Sequence, residues 1–203
     1  MQQSEVINIL KNDLNFNDYS IEKLKKFTNL VLRENKKHNL IAKSTENQIW
    51  VRHILDSAQL VKFIDFSSNS LADLGTGAGF PGLVVDIFNK NKAFHVKLYE
   101  KSPVKRQFLM MVIRELSLNA QVLGDVREEV IDSDIIICRA FKKLEHVIQV
   151  SREIAKKPHK LIILKGQNAQ KELNKSFKNK KYPYKLENSI TKVDSKIILM
   201  NIN

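Results

Sequence analysis

Residues 71–82 constrain the fold of this chain more than any other stretch, and their sequence is Leu-Ala-Asp-Leu-Gly-Thr-Gly-Ala-Gly-Phe-Pro-Gly. Four of the six glycines of the protein lie here, at Gly75, Gly77, Gly79 and Gly82. Because glycine loses more backbone entropy on folding than any other residue, such a concentration needs a reason. The apolar residues at 71–74 indicate a buried strand. The glycines therefore predict a sharp strand-to-helix turn with positive φ, an open approach for a ligand to the backbone, or both.

The charge balance indicates a polyanionic partner. The 203 residues include 34 Lys and Arg against 22 Asp and Glu, a formal net charge of +12. A charge of this size favours a nucleic acid as the first candidate. The alternative is a lysine-rich composition set by genomic base content, because lysine is scattered along the whole chain.

A single cysteine, Cys138, excludes an internal disulfide and a metal site built from cysteines. It lies in an apolar run at 135–138, which favours a small buried hydrophobe over a nucleophile. The five histidines show no ligand spacing, so no metal is expected. No apolar run approaches the roughly 18 residues of a membrane span. The N-terminal residues are polar, so we expect a cytoplasmic protein with no membrane partner.

Residues 1–69 contain no convincing strand and predict an N-terminal helical extension packed on the core that follows. Ser20 is the expected N-cap of a helix whose apolar residues recur at helical spacing. These residues are Ile21, Leu24, Phe27 and Val31. A second helix is expected from about residue 46 to residue 64, with Thr45 as its cap.

Residues 70–203 change to strand–helix alternation and predict one α/β domain. Strands are expected at residues 71–74, 94–99, 120–123, 135–138 and 161–164. Helices between them, one capped by Ser102 with Pro103 in its first turn, make these strands parallel. Two further β-like runs, at 182–186 and 197–200, predict a C-terminal antiparallel hairpin. The expected fold is a Rossmann-like parallel sheet with helices on both faces.

One edge of this sheet gathers the glycine loop and several polar side chains, because ligands of parallel sheets bind at the carboxyl ends of the strands. Asp73 precedes the loop and can accept its N–H groups. Glu100 ends the second strand, 25 residues after Gly75, where an acid can accept both hydroxyls of a ribose. Residues 125–129 follow the third strand and Arg139 follows the fourth. The alternatives are a plain glycine-rich turn and a surface acid at Glu100.

Two observations separate NAD from S-adenosylmethionine, the adenosine ligands that suit such an edge. The spacing Gly75-x-Gly77-x-Gly79 is tighter than the G-x-G-x-x-G pattern of dinucleotide sites. No second half-domain follows that would lengthen the groove for a dinucleotide. Both observations favour S-adenosylmethionine, whose carboxylate the loop amides can bind.

Several blocks follow one another along residues 39–166. They are Asn39-Leu40, Val-Arg-His-Ile-Leu-Asp-Ser at 51–57, the glycine stretch at 73–82, Glu100 with Lys105-Arg106 and Phe108-Leu109, residues 134–141 with Cys138-Arg139-Ala140, and Leu164-Lys165-Gly166. With these blocks the chain resembles the bacterial 16S rRNA 7-methylguanosine methyltransferase family, once called glucose-inhibited division protein B. The resemblance implies a class I methyltransferase fold, S-adenosylmethionine as cofactor, and a guanine of 16S rRNA, free or in the small-subunit particle, as substrate.

The resemblance and the glycine motif together assign the cofactor site. The expected cofactor-binding residues are Asp73, Gly75, Gly77, Gly79, Phe80, Glu100, Arg127, Glu128 and Arg139. Arg127 and Glu128 would frame the adenine mainly through their backbone. Relatives usually have arginine at the position of Val126, so a side-chain role for Arg127 stays open.

The chemistry of guanine implies the mechanism. N7 is an acceptor with a free lone pair, so its methylation needs no general base, unlike that of an exocyclic amine. The enzyme has to align N7 with the methyl group and exclude water. Arg139, the expected catalytic residue, stays protonated and would position guanine O6, a phosphate or the loop.

The expected RNA contacts are Arg52, His53, Lys105, Arg106 and Lys165. Arg52 and His53 could instead cap a helix or contact Asp56, and Lys105 with Arg106 could be a solvated helix face. The rival functions are an RNA-binding module that has lost activity and a methyltransferase acting on a small molecule or a protein. A monomer is expected.

Overall fold

The computed structural model of the chain describes residues 1–139, 143–167, 169–176 and 183–203. Its strands are β1 (Ser70–Leu74), β2 (His95–Tyr99), β3 (Gln121–Leu123), β4 (Ile135–Arg139), β5 (His159–Lys165), β6 (Tyr184–Asn188) and β7 (Lys196–Ile202). They form one sheet in the order β3-β2-β1-β4-β5-β7-β6. Neighbours among β1 to β5 are parallel, and β7 is antiparallel to both β5 and β6. The predicted parallel sheet with a C-terminal hairpin is confirmed.

Helices cover both faces of the sheet. They are α1 (Gln3–Asn12), α2 (Asp18–Asn35), α3 (Asp56–Ala58), α4 (Gly82–Phe88), α5 (Pro103–Leu116), α6 (Leu144–Ile154) and α7 (Ala169–Ser176). Helices α2 to α5 pack together on one face, and α6 packs with α7 on the other. Ser102 caps α5 as predicted, since its hydroxyl accepts the Lys105 N–H at 3.5 Å and Pro103 begins the helix.

The first two helices begin differently from the prediction. Helix α1 has no counterpart among the predicted elements. The N-cap of α2 is Asn17, whose Oδ1 accepts the Ser20 N–H at 2.8 Å, and the prediction of Ser20 as the cap is wrong. The buried Ser20 hydroxyl donates instead to the carbonyl of Ile87 at 2.9 Å. This tertiary bond ties α2 to the end of α4, and asparagine is as good an N-cap as serine.

The second predicted helix is an interrupted helical run rather than one regular element. It consists of a 3₁₀ turn (Lys43–Gln48), a π-helical turn (Trp50–Leu55), α3, and a second 3₁₀ turn (Gln59–Phe63). Thr45 lies inside the first turn and not at a cap, and its hydroxyl donates to the carbonyl of Ala42 at 2.7 Å. Single π-helical turns occur frequently at functional sites.

One apolar cluster joins the N-terminal helices to the sheet. Leu10, Leu24 and Phe27 are fully buried in it, together with residues of α4, α5 and β1. The N-terminal segment therefore packs on the sheet, while a boundary between residues 69 and 70 stays a prediction. No helix in the described part of the chain is long and apolar enough to cross a membrane. Ala140, Phe141 and Tyr182, which belong to predicted elements, lie outside the described residues.

Candidate active site

The glycine loop and Arg139 lie where the order of the strands reverses. Strands β1 and β4 are neighbours in space although β2 and β3 come between them in sequence. In open α/β sheets, ligands bind outside the carboxyl ends of the strands at such a switch point. The loop follows β1 and Arg139 ends β4, so both reach this position.

Three glycines of the loop have the backbone conformation that the sequence predicts. Gly75, Gly77 and Gly79 have φ of 67°, 62° and 95°. A Cβ on Gly79 would overlap the side chain of Leu83, whose Cγ would lie at 2.8 Å. A Cβ on Gly77 would meet no atom within 4 Å. Gly79 is therefore required by packing, whereas the loop is open in front of Gly77, where a ligand can approach the backbone.

Asp73 holds the far end of the loop. Its carboxylate is fully buried at the end of β1, and Oδ2 accepts the N–H of Gly82 at 2.8 Å. A Cβ on Gly82 would lie 2.7 Å from this oxygen, so only glycine leaves room for the bond. Burial raises the pKa of Asp73 to about 6, although the Gly82 N–H acts in the opposite direction.

Glu100 ties the loop to the next strand. Its Oε2 accepts the N–H of Gly77 at 3.0 Å and its Oε1 accepts the N–H of Ser102 at 2.8 Å. Each oxygen keeps a second lone pair, which a hydroxyl can use. The open backbone at Gly77 beside this carboxylate fits the adenosine part of S-adenosylmethionine.

The segment that follows β3 contains a 3₁₀ turn, Val126–Glu128. Val126 is 4% exposed and packs in the core, so an apolar residue suits this position. The side chain of Arg127 is engaged with Asp125, with Nε 3.1 Å from Oδ1. This contact lowers the pKa of Asp125 to about 2. The backbone N–H of Arg127 donates to the same oxygen at 3.1 Å, and the backbone role expected for Arg127 stays a prediction.

Arg139 is held by the interrupted helical run. Its Nη1 donates to the carbonyl of Arg52 at 2.9 Å and lies 3.4 Å from Oδ2 of Asp56. Its Nη2 lies 2.9 Å from Nδ1 of His53. The guanidinium carbon stands 5.4 Å from the centre of the Phe80 ring, which also packs against His53. Phe80 is 3% exposed, and its ring packs against the guanidinium of Arg139.

A cavity of about 460 Å³ opens beside Arg139. Its walls come from the helical run, the ends of β4 and β5, helix α7, and the turn before β7. They include Arg52, His53, Asp56, Arg139, Lys165 and Thr191. This volume lies within the roughly 300–1,000 Å³ of small-molecule sites and can hold one nucleotide.

Comparison with known proteins identifies the family. The model of one family, GidB, described as rRNA small subunit methyltransferase G, matches residues 20–199. The chain belongs to this family.

Curated relatives in this family cover most of the chain. The ribosomal RNA small subunit methyltransferase G of Pelagibacter ubique is 37% identical over 182 residues, covering 87% of this chain and 84% of that protein. The protein of the same name from Rickettsia felis is 37% identical over 179 residues, covering 88% and 91%.

Solved structures with lower identity share the fold. An O-methyltransferase-like chain from Klebsiella pneumoniae matches with a TM-score of 0.63 at 11% identity, covering 97% of this chain and 96% of that one. A SAM-dependent methyltransferase from Aquifex aeolicus matches with a TM-score of 0.58 at 14% identity, covering 74% and 91%. These matches show a class I methyltransferase fold.

The basic residues predicted to bind RNA differ in whether their side chains already contact other protein groups. Arg52 is exposed at the cavity rim, and Lys105 is half-buried in the first turn of α5. Arg106 donates to the carbonyls of Glu100 and Lys101 at 3.0 and 2.8 Å. Lys165 lines the cavity but its Nζ pairs with Glu172 at 2.8 Å. His53 contacts Arg139, as described above.

Sequence reasoning missed the wall formed by the turn before β7. Thr191 and Lys192 line the cavity there, and Thr191 donates to Oδ1 of Asp56 at 2.8 Å. The signal was available in the predicted hairpin. A last strand antiparallel to its neighbour must begin at the carboxyl edge, so the turn before it lies at the site.

Proposed function

We propose that the chain transfers a methyl group from S-adenosylmethionine to N7 of a guanine in 16S rRNA. S-adenosylmethionine is the methyl donor, and when bound it supplies the methyl group as an electrophile on sulfur. The substrate is the free rRNA or the small-subunit particle, and the protein acts in the cytoplasm as a monomer without a metal. Membership of the rRNA small subunit methyltransferase G family supports the substrate class.

One observation carries the choice of N7: each candidate base among the described residues of the cavity wall is committed to another protein group. Asp56 accepts from Gln59 and Thr191 and faces Arg139. Glu172 accepts from Lys165 and from the Leu144 N–H. His53 is engaged at both ring nitrogens, with Thr45 and Arg139. An exocyclic amine or a ribose hydroxyl must lose a proton during methylation, whereas N7 does not.

Methylation at a pyrimidine carbon is disfavoured for a second reason. That chemistry needs a nucleophile, usually a cysteine thiolate, to activate the ring. Cys138 is 1% exposed within β4, and burial raises its pKa to about 12. It therefore stays a thiol inside the core, out of reach of a base in the cavity.

Arg139 would position the base without touching the reacting atom. The common arginine contact with guanine is bidentate, to O6 and N7 together. That contact would occupy the lone pair that has to react, and it would place a cation against a ring that is gaining positive charge. Arg139 would therefore donate to O6 alone or to a phosphate, and the nearby Asp56 carboxylate partly balances its charge.

The cofactor residues divide the remaining work. The open backbone at Gly77 and the Glu100 carboxylate would hold the adenosine, and Asp73 would keep the loop in shape through Gly82. The backbone of Arg127 and Glu128 would border the adenine. None of these groups needs to accept a proton from the substrate.

The test is transfer of a labelled methyl group to small-subunit RNA from a strain that lacks the modification. Substrate is offered as free 16S rRNA and as intact particles, and the product is digested to nucleosides. We expect 7-methylguanosine by mass spectrometry. Label in N2-methylguanosine or a ribose-methylated nucleoside would contradict the N7 assignment. Cofactor binding without transfer to either RNA substrate would support an inactive RNA-binding module. Label on a protein or a small molecule alone would support a methyltransferase with a non-RNA substrate.

Arg139→Ala tests the role of the arginine in the same assay. We expect the turnover of this variant to fall. Calorimetry measures its binding of S-adenosylmethionine separately. Arg114→Ala is the matched control, because that side chain is exposed in the last turn of α5 and does not line the cavity. Full turnover of Arg139→Ala would refute the positioning role.

A further inference from the structure

Three acceptors from two adjacent turns converge on a single guanidinium. The π-helical turn provides the carbonyl of Arg52 and Nδ1 of His53, and α3 provides Asp56. A π-helical turn is wider than an α-helical one, and its rarity favours a functional reason for it. We propose that His53 is a positioning residue that holds Arg139 in one orientation at the cavity, as a neutral imidazole with its proton on Nε2. This inference rests on the proposed function for its meaning in catalysis.

The hydrogen bonds around His53 determine its tautomer. Arginine has only N–H donors, so the contact of 2.9 Å between Arg139 Nη2 and His53 Nδ1 requires Nδ1 to accept. The proton of a neutral ring then lies on Nε2, which stands 2.8 Å from Oγ1 of Thr45. The Thr45 hydroxyl donates its hydrogen to the carbonyl of Ala42, so its oxygen is left to accept from Nε2. Each of these three hydrogen bonds, from Arg139 through His53 and Thr45 to Ala42, has one donor and one acceptor only in this tautomer.

The surroundings of His53 keep the ring neutral. Burial, with the charges of Arg139 and Arg52, lowers the pKa of His53 to about 3. The carboxylate in this region, Asp56, faces Arg139 and not the imidazole. Protonation would place a hydrogen on Nδ1 against the guanidinium and would break the contact. The ring therefore remains an acceptor throughout the neutral pH range.

The consequence for Arg139 is a defined pair of free donors. The contacts with Arg52, Asp56 and His53 use three of its five N–H groups. The Nε–H and one Nη2–H have no acceptor among the residues that the structure describes. With the guanidinium fixed over Phe80, these two donors keep one direction. Loss of the His53 acceptor would free the group to rotate, and a misplacement of about 1 Å can cost roughly 100-fold in rate.

This role replaces the direct RNA contact that the sequence suggests for His53. A direct contact through charge would need a protonated ring or an N–H that faces the substrate. Both nitrogens are instead committed to protein groups, and the ring packs with its centre 5.0 Å from that of Phe80. Its replacement should therefore change the rate of methyl transfer more than the affinity for RNA.

The first experiment reads the tautomer in the free protein. Long-range ¹H–¹⁵N correlation spectra distinguish a protonated ring nitrogen from an unprotonated one, and the His53→Asn variant identifies the signals of His53 among the five histidines. We expect an unprotonated Nδ1 and a protonated Nε2, without titration from pH 8 to pH 5. In Arg139→Met the pKa of His53 should rise, because a nearby positive charge is removed. A proton on Nδ1, or titration near the ordinary value of about 6.5, would overturn the proposal.

The second experiment uses two substitutions that each keep one end of the imidazole. In His53→Asn, Oδ1 takes the place of Nδ1 and can still accept from Arg139. In His53→Gln, the amide takes the place of Nε2 and can still contact Thr45. We expect His53→Gln to lose roughly 10- to 100-fold in kcat with little change in KM for RNA, and His53→Asn to recover most of that loss.

The outcomes separate this proposal from its alternatives. A purely structural role through Thr45 predicts the reverse order, with His53→Gln more active than His53→Asn. A direct RNA contact predicts a raised KM in both variants. Combined with Arg139→Met, the His53→Gln substitution should add no further loss, and additive losses would contradict a shared role. The tautomer is measured without substrate, so it stays informative even if the wild-type protein transfers no methyl group to guanine N7.

Discussion

Replacing Gly77 with alanine should separate the stability of the glycine loop from its ability to hold the cofactor. A Cβ at this position meets no atom within 4 Å, so the substitution creates no overlap in the protein. The cost to folding is the backbone conformation alone, with φ at 62°. A non-glycine residue in the left-handed region costs roughly 1–2 kcal/mol. For a domain of this size, that lowers Tm by about 2–8 °C.

The new methyl group would stand in the space through which a ligand reaches the loop backbone. Wild-type protein at 100 times the Kd of S-adenosylmethionine should gain about 2.7 kcal/mol of stability from binding. We expect Gly77→Ala to lose most of this gain while it stays folded. The loss of binding should thus be larger than the loss of intrinsic stability.

Gly79→Ala is the matched comparison in the same loop. Its φ is 95°, and its Cβ would overlap the fully buried side chain of Leu83. Strain of roughly 1–2 kcal/mol and overpacking of roughly 1–3 kcal/mol together predict a loss of about 2–5 kcal/mol. This variant should be clearly less stable than Gly77→Ala without any ligand present.

Urea unfolding gives the free energy of unfolding of each variant, and calorimetry gives its affinity for S-adenosylmethionine. The expected pattern is a small stability loss with a large affinity loss for Gly77→Ala, and a large stability loss for Gly79→Ala. If Gly77→Ala binds S-adenosylmethionine as the wild type does, the loop is not where the cofactor lies. Equal destabilisation by the two substitutions would refute the packing argument.

Two further predictions concern pH and salt. Burial raises the pKa of Asp86 to about 6, so the folded state binds a proton more readily than the unfolded chain does. Between pH 7 and pH 4, the free energy of unfolding of the wild type, measured in urea, should therefore rise by up to ~3 kcal/mol relative to that of Asp86→Asn. Parallel pH curves for the two proteins would contradict this. At the cavity rim, Arg52→Gln with Lys192→Gln should reduce the slope of log K against log salt for RNA by about 1.4, at about 0.7 per lost phosphate contact. The matched pair Lys90→Gln with Lys92→Gln, at the opposite edge of the sheet, should leave the slope unchanged, and equal effects would argue against this rim as the RNA site.

Local pattern predicted the sheet because parallel strands in this fold are short, apolar and separated by helices. The continuous apolar run of β4 is an example, with Ile135, Ile136 and Ile137 all buried between two helical layers. The interrupted helical run was predicted as one helix, since its apolar spacing hides the change from 3₁₀ to π geometry. Helix α1 was not predicted. Its start is capped in the structure by Glu5, which accepts the N–H of Gln2 at 2.7 Å.

For the site, the sequence was sufficient wherever a backbone requirement selected the residue. Gly75, Gly77 and Gly79 have positive φ, a conformation that few other residues adopt, so their pattern alone predicted the loop. Arg139 was placed at the site because a residue at the end of a parallel strand lies at the ligand edge. These assignments depend on neighbours in sequence, and local chemistry is enough to make them.

Tertiary structure alone decided what the basic side chains do. His53 and Arg139 are 86 positions apart in sequence, and Asp56 and Thr191 are 135 apart. No local pattern distinguishes a histidine that accepts a hydrogen bond inside the protein from one that awaits RNA. The difference lies in which groups the fold brings within 3 Å of it and in how much water it removes, and both are properties of the packed chain.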